Sequence, residues 1–307
     1  MSSIFEALQR SEVEHSGGSS LPTEATGLLQ RAELRATATW DAHARSNAAS
    51  MMFPPPVTDE QGGVSDHLRN LPTLKVSPAC ENRLVSVMDK QSPATEAFRL
   101  LGVRLRHMQH RRTLKRLLIT STVPKEGKST VAANLACALA GSTEQKILLL
   151  EGDLRRPSLM QMFGLGALPG LCECLQDNHA LATSIYCLES MGLWLLPAGS
   201  APGNALDILQ SERLSELMGQ LSDWFDWIII DSPPVLPLAD ASVWARLADG
   251  VVLVTRKGVT EKQQLQRGLS ALDSQKLVGV LLNCSTTASH SDYYYRPPAK
   301  HHAGSQL

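Results

Sequence analysis

Residues 117–130, LLITSTVPKEGKST, join an apolar run, a polar loop and the beginning of a helical pattern. The run LLITS at 117–121 has the length and composition of a buried β-strand, and STVAANLACALA at 129–140 has those of a helix. The loop between them matches the pattern G-x-x-x-x-G-K-[ST], except that Thr122 replaces the first glycine. The stretch therefore predicts a phosphate-binding loop between a strand and a helix.

The residue types of this loop suit a nucleoside triphosphate. Gly127 lets the backbone approach the phosphates, and the amides at 125–130 point inward at the start of a helix. The Lys128 ammonium can reach the β- and γ-phosphates, and the Ser129 hydroxyl can ligate Mg²⁺. We predict ATP and Mg²⁺ as cofactors. The predicted nucleotide-binding residues of the loop are Pro124, Lys125, Glu126, Gly127, Lys128, Ser129 and Thr130.

Apolar runs continue beyond the loop and alternate with helical patterns, such as the one that starts at Ser92-Pro93. Continuous apolar strands separated by helices indicate a parallel sheet covered on both faces. The predicted fold is a doubly wound, mostly parallel α/β sheet of the P-loop NTPase type, in one domain at 76–288. Its further predicted strands are KILLL at 146–150, LWLLP at 193–197, WIIID at 227–231, GVVLVT at 250–255 and LVGVLLN at 277–283.

Composition limits what the rest of the chain can do. With 307 residues, 43% of them hydrophobic, it can bury one sizeable core, and a net charge of -1 gives no general attraction for nucleic acid. Residues 1–75 are predicted to be a largely disordered linker, because Ser, Gly, Thr, Ala and Pro dominate 15–75. Ahead of it, Ser3 and Glu6 form a capping box that predicts a short docking helix at 3–13; a frayed end is the alternative.

Targeting signals and cysteines point to the cytoplasm. No apolar run approaches the roughly 20 residues of a membrane span, and residues 1–15 lack the apolar core of a signal peptide. The six cysteines show no paired metal spacing, and the CEC segment at 172–174 is too tight for a zinc site. Free thiols in a reducing compartment are therefore expected.

Acidic residues end two of the predicted strands. ILLLEGDLRRP at 147–157 places Glu151, Asp153 and Arg155 after one strand, and Asp231 ends another. Because the carboxyl ends of parallel strands meet at one edge of a sheet, we expect the three carboxylates to converge beside the phosphate loop. Converging acids need a cation, which Mg²⁺–ATP supplies. Helix caps or solvated turns are the alternative interpretation of such acids.

The segment SDYYYRPPAK at 291–300 holds three of the four tyrosines of the chain, within a tail at 289–307 that is predicted to be flexible. Consecutive residues cannot share one face of a helix or strand, so packing does not explain the cluster. From the tail alone, a chance run and a functional cluster are equally good interpretations.

Together these segments resemble the bacterial tyrosine kinases (BY-kinases) of capsule and exopolysaccharide systems, over about residues 75–295. The resemblance implies an ATP-dependent protein-tyrosine autokinase that regulates polysaccharide synthesis and export. It also implies that Tyr293, Tyr294 and Tyr295 are autophosphorylated, presented to a neighbouring subunit. The matching segments are TSTVPKEGKST at 120–130, LLLEGDLRRP at 148–157, LLPAGSAPGNALDIL at 195–209, IIIDSPPVLPLADA at 228–241 and the tyrosine cluster.

The resemblance also assigns roles to single residues of the phosphate loop and its metal site. Lys128 matches the phosphate-binding lysine, Ser129 the Mg²⁺ ligand and Thr130 the hydroxyl that follows it. Asp153 and Asp231 match the acids that hold Mg²⁺ and its waters.

Three further residues receive roles in the same way. Glu151 takes the place of the aspartate that accepts the tyrosine proton, and Arg155 is the arginine of the same motif, counted with the catalytic residues. Asn283 sits where related ATPases contact adenine, and a turn residue at a strand end is the alternative interpretation.

Three positions depart from the family pattern. Glu151 is one methylene longer than the family's aspartate. Lys125 stands where a glycine is usual, which predicts either a different backbone turn or a charge that assists the phosphates. EAFRLLGVR at 96–104 keeps Glu96 and Arg99 of the oligomerisation motif Glu-x-x-Arg-x-x-Arg but has Gly102 in the third place. A homo-oligomer is expected, but Gly102 puts a ring like the family's in question.

The resemblance implies further partners: protein tyrosine substrates and a separate membrane-bound polysaccharide co-polymerase that acts as activator, with no nucleic acid. It places the chain in the cytoplasm, peripheral to the inner membrane through that partner. Two other functions stay open. A partitioning or septum-positioning ATPase would share the fold, but its signature lysine would fall at Val123. A catalytically weak, ATP-binding regulator of polysaccharide export would fit the departures at Glu151 and Lys125.

Overall fold

A computed structural model of the protein describes residues 68, 71–76, 84–142, 144–177, 179–200, 203–236 and 238–284. Strands and helices alternate through this part of the chain. The strands are β1 (Thr73–Leu74), β2 (Arg116–Ser121), β3 (Ile147–Glu151), β4 (Tyr186–Leu188), β5 (Leu193–Leu196), β6 (Trp227–Asp231), β7 (Gly250–Arg256) and β8 (Leu277–Asn283). The helices are α1 (Val85–Met88), α2 (Pro93–Gln109), α3 (Lys128–Ala140), α4 (Leu159–Met162), α5 (Leu171–Gln176), α6 (Leu181–Ser184), α7 (Ala205–Leu209), α8 (Glu212–Trp224), α9 (Asp240–Leu247) and α10 (Lys262–Ser270).

The described strands form one eight-stranded sheet in the order β1-β4-β5-β3-β6-β2-β7-β8. Neighbouring strands are parallel except β4 and β5, which run antiparallel. The doubly wound, mostly parallel α/β fold predicted from the sequence is therefore confirmed. The six strands predicted from apolar runs are all present, each within one residue of its predicted bounds. The strand before the phosphate loop, β2, lies inside the sheet between β6 and β7.

Both faces of the sheet are covered, which explains why its central strands are apolar along their length. In β6, Ile228 and Ile230 pack into a core with α8 and α9, whereas Trp227 and Ile229 pack into a second core with α3. All four side chains are fully buried. Because successive residues of a strand face opposite sides, the six longer strands contribute to both cores.

Helix α2 begins where the sequence predicts, since the Ser92 side chain accepts a hydrogen bond from the Thr95 amide at 3.1 Å. Within α2, Gly102 is buried at the contact with α3. A Cβ atom at Gly102 would lie 3.3 Å from Leu139 Cδ2, so a larger side chain would require Leu139 to shift by a few tenths of an ångström. The third position of the oligomerisation motif therefore faces α3 of the protein's own fold.

Two short strands were not predicted. Strand β1 at the sheet edge and its neighbour β4 have two and three residues, too few to show a periodic pattern. The predicted docking helix at 3–13, the tyrosine tail and most of the predicted linker at 1–75 lie outside the described residues. At the end of that linker, Leu68 and Leu71 are buried and β1 joins the sheet. The domain bounds at 76 and 288 stay predictions. In the part of the chain that the structure describes, no helix combines the length and apolarity that a membrane crossing requires.

Candidate functional site

The phosphate loop leaves β2 and ends where α3 begins, at Lys128. Gly127, just before the helix, has a φ of 91°, a left-handed conformation that favours glycine. A Cβ atom at Gly127 would lie 2.3 Å from Asn283 Nδ2, so only glycine fits there. Lys125 also has a left-handed φ of 69°. This lysine therefore adopts a backbone conformation that a glycine would favour, at a cost of roughly 1–2 kcal/mol.

The Lys128 side chain lies between the two aspartates that the sequence assigns to this edge of the sheet. Its Nζ atom is 2.9 Å from Asp153 Oδ2 and 4.0 Å from Asp231 Oδ1. Burial lowers the pKa of Lys128, but the charges of Asp231 and Asp153 outweigh burial and leave the pKa above its ordinary value. The lysine is therefore firmly cationic at the place where the phosphates of a nucleotide are expected.

Asp231 has the features of a metal ligand. Both of its carboxylate oxygens are buried and neither has a hydrogen-bond partner. Burial raises the pKa of Asp231 to about 6, although Lys128 and the nearby Ser129 hydroxyl act in the opposite direction. No hydrogen bond of ordinary geometry joins Ser129 to either Asp231 oxygen. A buried carboxylate whose oxygens lack partners is costly unless a cation binds it, so these residues fit Mg²⁺.

The described residues contain no group of three or more His, Cys, Asp or Glu side chains arranged to hold a metal ion. Mg²⁺ in nucleotide sites takes one or two carboxylates and completes its shell with phosphates and waters. Cys172 and Cys174 are free and buried, and burial raises the pKa of Cys172 to about 12.

Glu151 lies beside Asp231, its partner in register on the neighbouring strand β6, but its carboxylate is engaged by the backbone. Its side chain is fully buried, and its carboxylate accepts hydrogen bonds from three backbone amides. Oε1 accepts from Ser158 and, at 2.6 Å, from Leu159, whereas Oε2 accepts from Ala198 at 3.2 Å. Burial raises the pKa of Glu151, and these amides partly offset that effect.

The convergence of Glu151 with the two aspartates on the phosphates therefore stays a prediction. The extra methylene group carries its carboxylate to the start of α4 and to the loop after β5. In this position Glu151 holds three chain segments together.

Arg155 is also engaged away from the phosphate loop. Its Nε atom lies 2.7 Å from Asp240 Oδ2 and its Nη2 atom 3.1 Å from Asp240 Oδ1, a two-point pair with the first residue of α9. Trp244 of the same helix donates from Nε1 to the Gly152 carbonyl at 3.0 Å. Helix α9 thus holds the turn that carries Asp153. Sequence reasoning missed Asp240 and Trp244, although an acid at the start of a predicted helix was a usable signal.

Asn283, at the end of β8, contacts the phosphate loop. Its Nδ2 atom donates to the Glu126 carbonyl at 2.9 Å, and its Oδ1 atom accepts from the Cys284 amide at 2.8 Å. The amide group is thus used to fix the loop, and an adenine contact stays a prediction. In all, the structure brings Lys128, Ser129 and the two aspartates together, with Glu151 in register beside Asp231, whereas Arg155 pairs with Asp240. The tyrosines at 293–295 lie outside the described residues.

Comparisons with known proteins identify relatives of this chain. A family model described as ParA, NUBPL iron-transfer P-loop NTPase, matches residues 114–296. Tyrosine-protein kinase YwqD of Bacillus subtilis is 33% identical over 217 residues, which cover 70% of this chain and 91% of YwqD. The crystal structure of the chimerical protein CapA2B2 is similar with a TM-score of 0.61 and 31% identity, over 72% of this chain and 98% of that one.

Longer relatives are matched only in part. Tyrosine-protein kinase wzc of Salmonella typhimurium is 29% identical over 219 residues, which cover 70% of this chain but 30% of that protein. The match to this relative therefore spans less than a third of that protein's length.

Proposed function

This chain belongs to the bacterial tyrosine-protein kinase family, within the ParA-type P-loop NTPases, and on that premise we propose that it is an ATP-dependent protein-tyrosine autokinase. The reaction moves the γ-phosphoryl group of ATP to a tyrosine hydroxyl, with ADP as leaving group and release of the hydroxyl proton. The proposed substrates include its own tyrosines at 293–295. The observation that carries the proposal is the buried Asp231 carboxylate, without hydrogen-bond partners and 4.0 Å from Lys128.

The proposed mechanism relies on charge and position. Lys128 binds the phosphate oxygens, which compete with Asp153 for its ammonium group. Asp231 and Ser129 would hold Mg²⁺, which offsets the charge of the phosphates when bound. Phosphoryl transfer passes through a loose transition state, so positioning and charge neutralisation supply most of the catalysis. A proton acceptor at Glu151 is therefore not required.

We propose that transfer to the tail occurs between subunits, as the family resemblance implies. Tyr293 follows Cys284, the last described residue, by nine positions, which span at most about 32 Å. Because β8 ends beside the phosphate loop, reach alone does not decide between the chain's own site and that of a neighbour. The mixing experiment below separates the two.

Phosphorylation of the tail is expected to loosen its binding. Each phosphate adds about -1.5 to -2 charge at neutral pH, so three would add about -5. That charge would lie beside Asp153 and Asp231 of the site that holds the tail. Arg296 and Lys300 would offset part of it, so a graded release is expected. Kinase output and oligomeric state would then be coupled.

The proposed setting is the synthesis and export of a capsular or extracellular polysaccharide, under a separate membrane-bound activator and in a homo-oligomer. Helix α2 offers a surface for assembly, because Leu100 and Val103 are about half exposed beside the Glu96–Arg99 ion pair. Gly102 faces inward, so any assembly through α2 would differ from one built on the complete motif.

A second candidate function is an ATP-binding regulator with little phosphotransfer. The engagement of Glu151 by three backbone amides favours it, because the residue in the place of the proton acceptor is occupied. This regulator would bind Mg²⁺–ATP as tightly as a kinase but would not incorporate phosphate.

The test mixes two variants with labelled ATP. One chain carries Lys128→Met and an intact tail; the other is active but has phenylalanine at 293–295. Phosphotyrosine on the inactive chain supports kinase activity and transfer between subunits. Phosphate on tail tyrosines of the wild type, without any on the inactive partner, would place transfer within one chain. Binding of ATP with no phosphotyrosine in any mixture would favour the regulator.

A further inference from the structure

The phosphate loop contains a buried carboxylate that the reaction does not use. Glu126 stands between Lys125 and Gly127, and its side chain is fully buried. Within the described part of the chain, no lysine or arginine forms an ion pair with it. A negative charge inside a loop that receives a triphosphate would repel the ligand unless it is held away from the phosphates.

Two hydrogen bonds hold this carboxylate. Glu126 Oε2 accepts from the Val123 amide at 2.8 Å, and Oε1 accepts from the Thr260 hydroxyl. Thr260 belongs to the turn between β7 and α10, which we call the outer turn (residues 257–260). Its hydroxyl oxygen also accepts from the Arg256 amide at 3.0 Å, so its single proton is free to point at Glu126.

The outer turn is itself fixed to the sheet. The Lys257 amide donates to the Asn283 carbonyl at 3.1 Å, and the Thr260 amide donates to the Arg256 carbonyl at 3.1 Å. Arg256 Nη1 also donates to the Lys125 carbonyl at 3.3 Å. The outer turn and the preceding Arg256 therefore contact the phosphate loop at the Glu126 side chain and at the Lys125 carbonyl. The Lys257–Asn283 hydrogen bond attaches the outer turn to β8.

We propose that Thr260 is a positioning residue for nucleotide binding, whose hydroxyl holds the Glu126 carboxylate away from the phosphates and keeps the left-handed turn at Lys125 and Gly127 open. The inference rests on the proposed nucleotide site but not on tyrosine as the acceptor. Without the Thr260 hydroxyl, the Glu126 carboxylate keeps only the hydrogen bond from the Val123 amide. The carboxylate would then be free to turn toward the phosphates, and the loop would close.

The test measures ATP binding by calorimetry on the full chain. A hydrogen bond to a charged group contributes about 1.5–3 kcal/mol, so Thr260→Val should weaken ATP binding by roughly 10- to 100-fold. Thr260→Ser keeps the donor and should bind within about 3-fold of the wild type. Thr183→Val is the matched control, because the exposed Thr183 hydroxyl of α6 donates to the carbonyl of Ala180, three residues earlier.

A charge-neutral variant tests the cause. Glu126→Gln removes the repulsion, so adding Thr260→Val to it should weaken binding by much less than the single change does. Thr260→Val should also raise the KM for ATP and leave kcat unchanged at saturating ATP. A merely structural threonine would instead change thermal stability in both backgrounds alike.

Three results would overturn the proposal. The first is wild-type ATP affinity in Thr260→Val, and the second is an equal loss of ATP affinity in Thr260→Ser and Thr260→Val. The third is a loss of ATP affinity on Thr260→Val that is as large in the Glu126→Gln background as in the wild type. If Thr260→Val does not fold, Thr260→Ala takes its place, with the same expected ranking against serine. ATP binding that survives Lys128→Met would instead contradict the nucleotide site and the proposed function with it. Binding without phosphotransfer would contradict the kinase function alone.

Discussion

Lys128 Nζ lies 2.9 Å from Asp153 Oδ2, with both side chains largely buried, so the lysine of the phosphate loop is also the counter-charge of an acidic pocket. Asp231 Oδ1 is 4.0 Å from the same nitrogen. Function and stability are therefore linked at this residue. A solvent-exposed lysine at the rim of the sheet could be replaced without this loss of folding stability.

Lys128→Met is expected to abolish binding of Mg²⁺–ATP and also to destabilise the fold. The change leaves two buried carboxylates without their cation, which costs about 3 kcal/mol when one partner of a buried pair is lost. Calorimetry and urea unfolding measure the two effects. Lys128→Arg is the control, because it keeps the charge and should lose less stability. Wild-type ATP affinity in the methionine variant would refute the phosphate-loop assignment.

Lys125→Gly is expected to stabilise the protein by about 0.5–1 kcal/mol. Relief of the backbone strain at φ 69° stabilises the folded state by more than the added conformational entropy of a glycine stabilises the unfolded chain. Gly127→Ala should do the opposite, because its Cβ would lie 2.3 Å from Asn283 Nδ2. Urea unfolding measures the change in the free energy of unfolding for both variants. A loss of stability in Lys125→Gly would mean that the lysine side chain contributes more than its backbone conformation costs.

The strands and the phosphate loop were predictable because each has a local signal. WIIID and LVGVLLN are continuous apolar runs, and the structure places β6 and β8 at the predicted bounds. The loop was predictable because GKST must follow a strand and open a helix to bind phosphates. Asp153 and Asp231 followed from the rule that parallel strands end at one edge of the sheet.

The direction of single side chains was not predictable. A strand-end acid can face the ligand or cap a neighbouring helix, and the difference at Glu151 is one methylene group. Its partners at Ser158, Leu159 and Ala198 come from segments that only tertiary folding brings together. Thr260 shows the same limit, since its contact with Glu126 joins residues 134 positions apart.

The pH dependence of stability should report the buried state of Asp231. Its pKa rises from an ordinary 3.8 to about 6 in the folded protein, so the folded state holds the proton more tightly than the unfolded state does. The contribution of Asp231 to the free energy of unfolding is therefore fully present below pH 3.8 and is lost as pH rises through about 6. That loss amounts to about 3 kcal/mol. Without metal, Asp231→Asn should match the wild type at pH 4 and be more stable at pH 7.

Urea unfolding in a chelating buffer from pH 4 to pH 7 measures this difference. Asp231→Asn should at the same time lose binding of Mg²⁺–ATP. A gain in stability at pH 7 together with a loss of ligand binding is expected when a buried charge serves function. If the asparagine variant is less stable at pH 7, the attraction of Lys128 exceeds the cost of burial, and the sign of the pKa shift is wrong.

Glu151 offers two substitutions that separate a bracing residue from a proton acceptor. Glu151→Asp restores the family's residue but withdraws the carboxylate from the amides of Ser158, Leu159 and Ala198. If Glu151 is a brace, this change leaves buried donors unpaired and costs about 1–3 kcal/mol. Glu151→Gln keeps the length and one acceptor oxygen, so it should cost less stability than aspartate and lower phosphotransfer by less than about 10-fold.

A proton acceptor would give the opposite ranking. Aspartate would then retain activity, and glutamine would lower phosphotransfer by roughly 10²–10⁴-fold without loss of stability. Hydrogen exchange at Leu159 and Ala198 supplies a readout that does not depend on activity, because their amides bind the Glu151 carboxylate directly. Faster exchange in Glu151→Asp than in Glu151→Gln, together with the larger loss of stability, is the result expected of a brace. Equal exchange in both variants, with activity lost only in glutamine, would return Glu151 to the role of base.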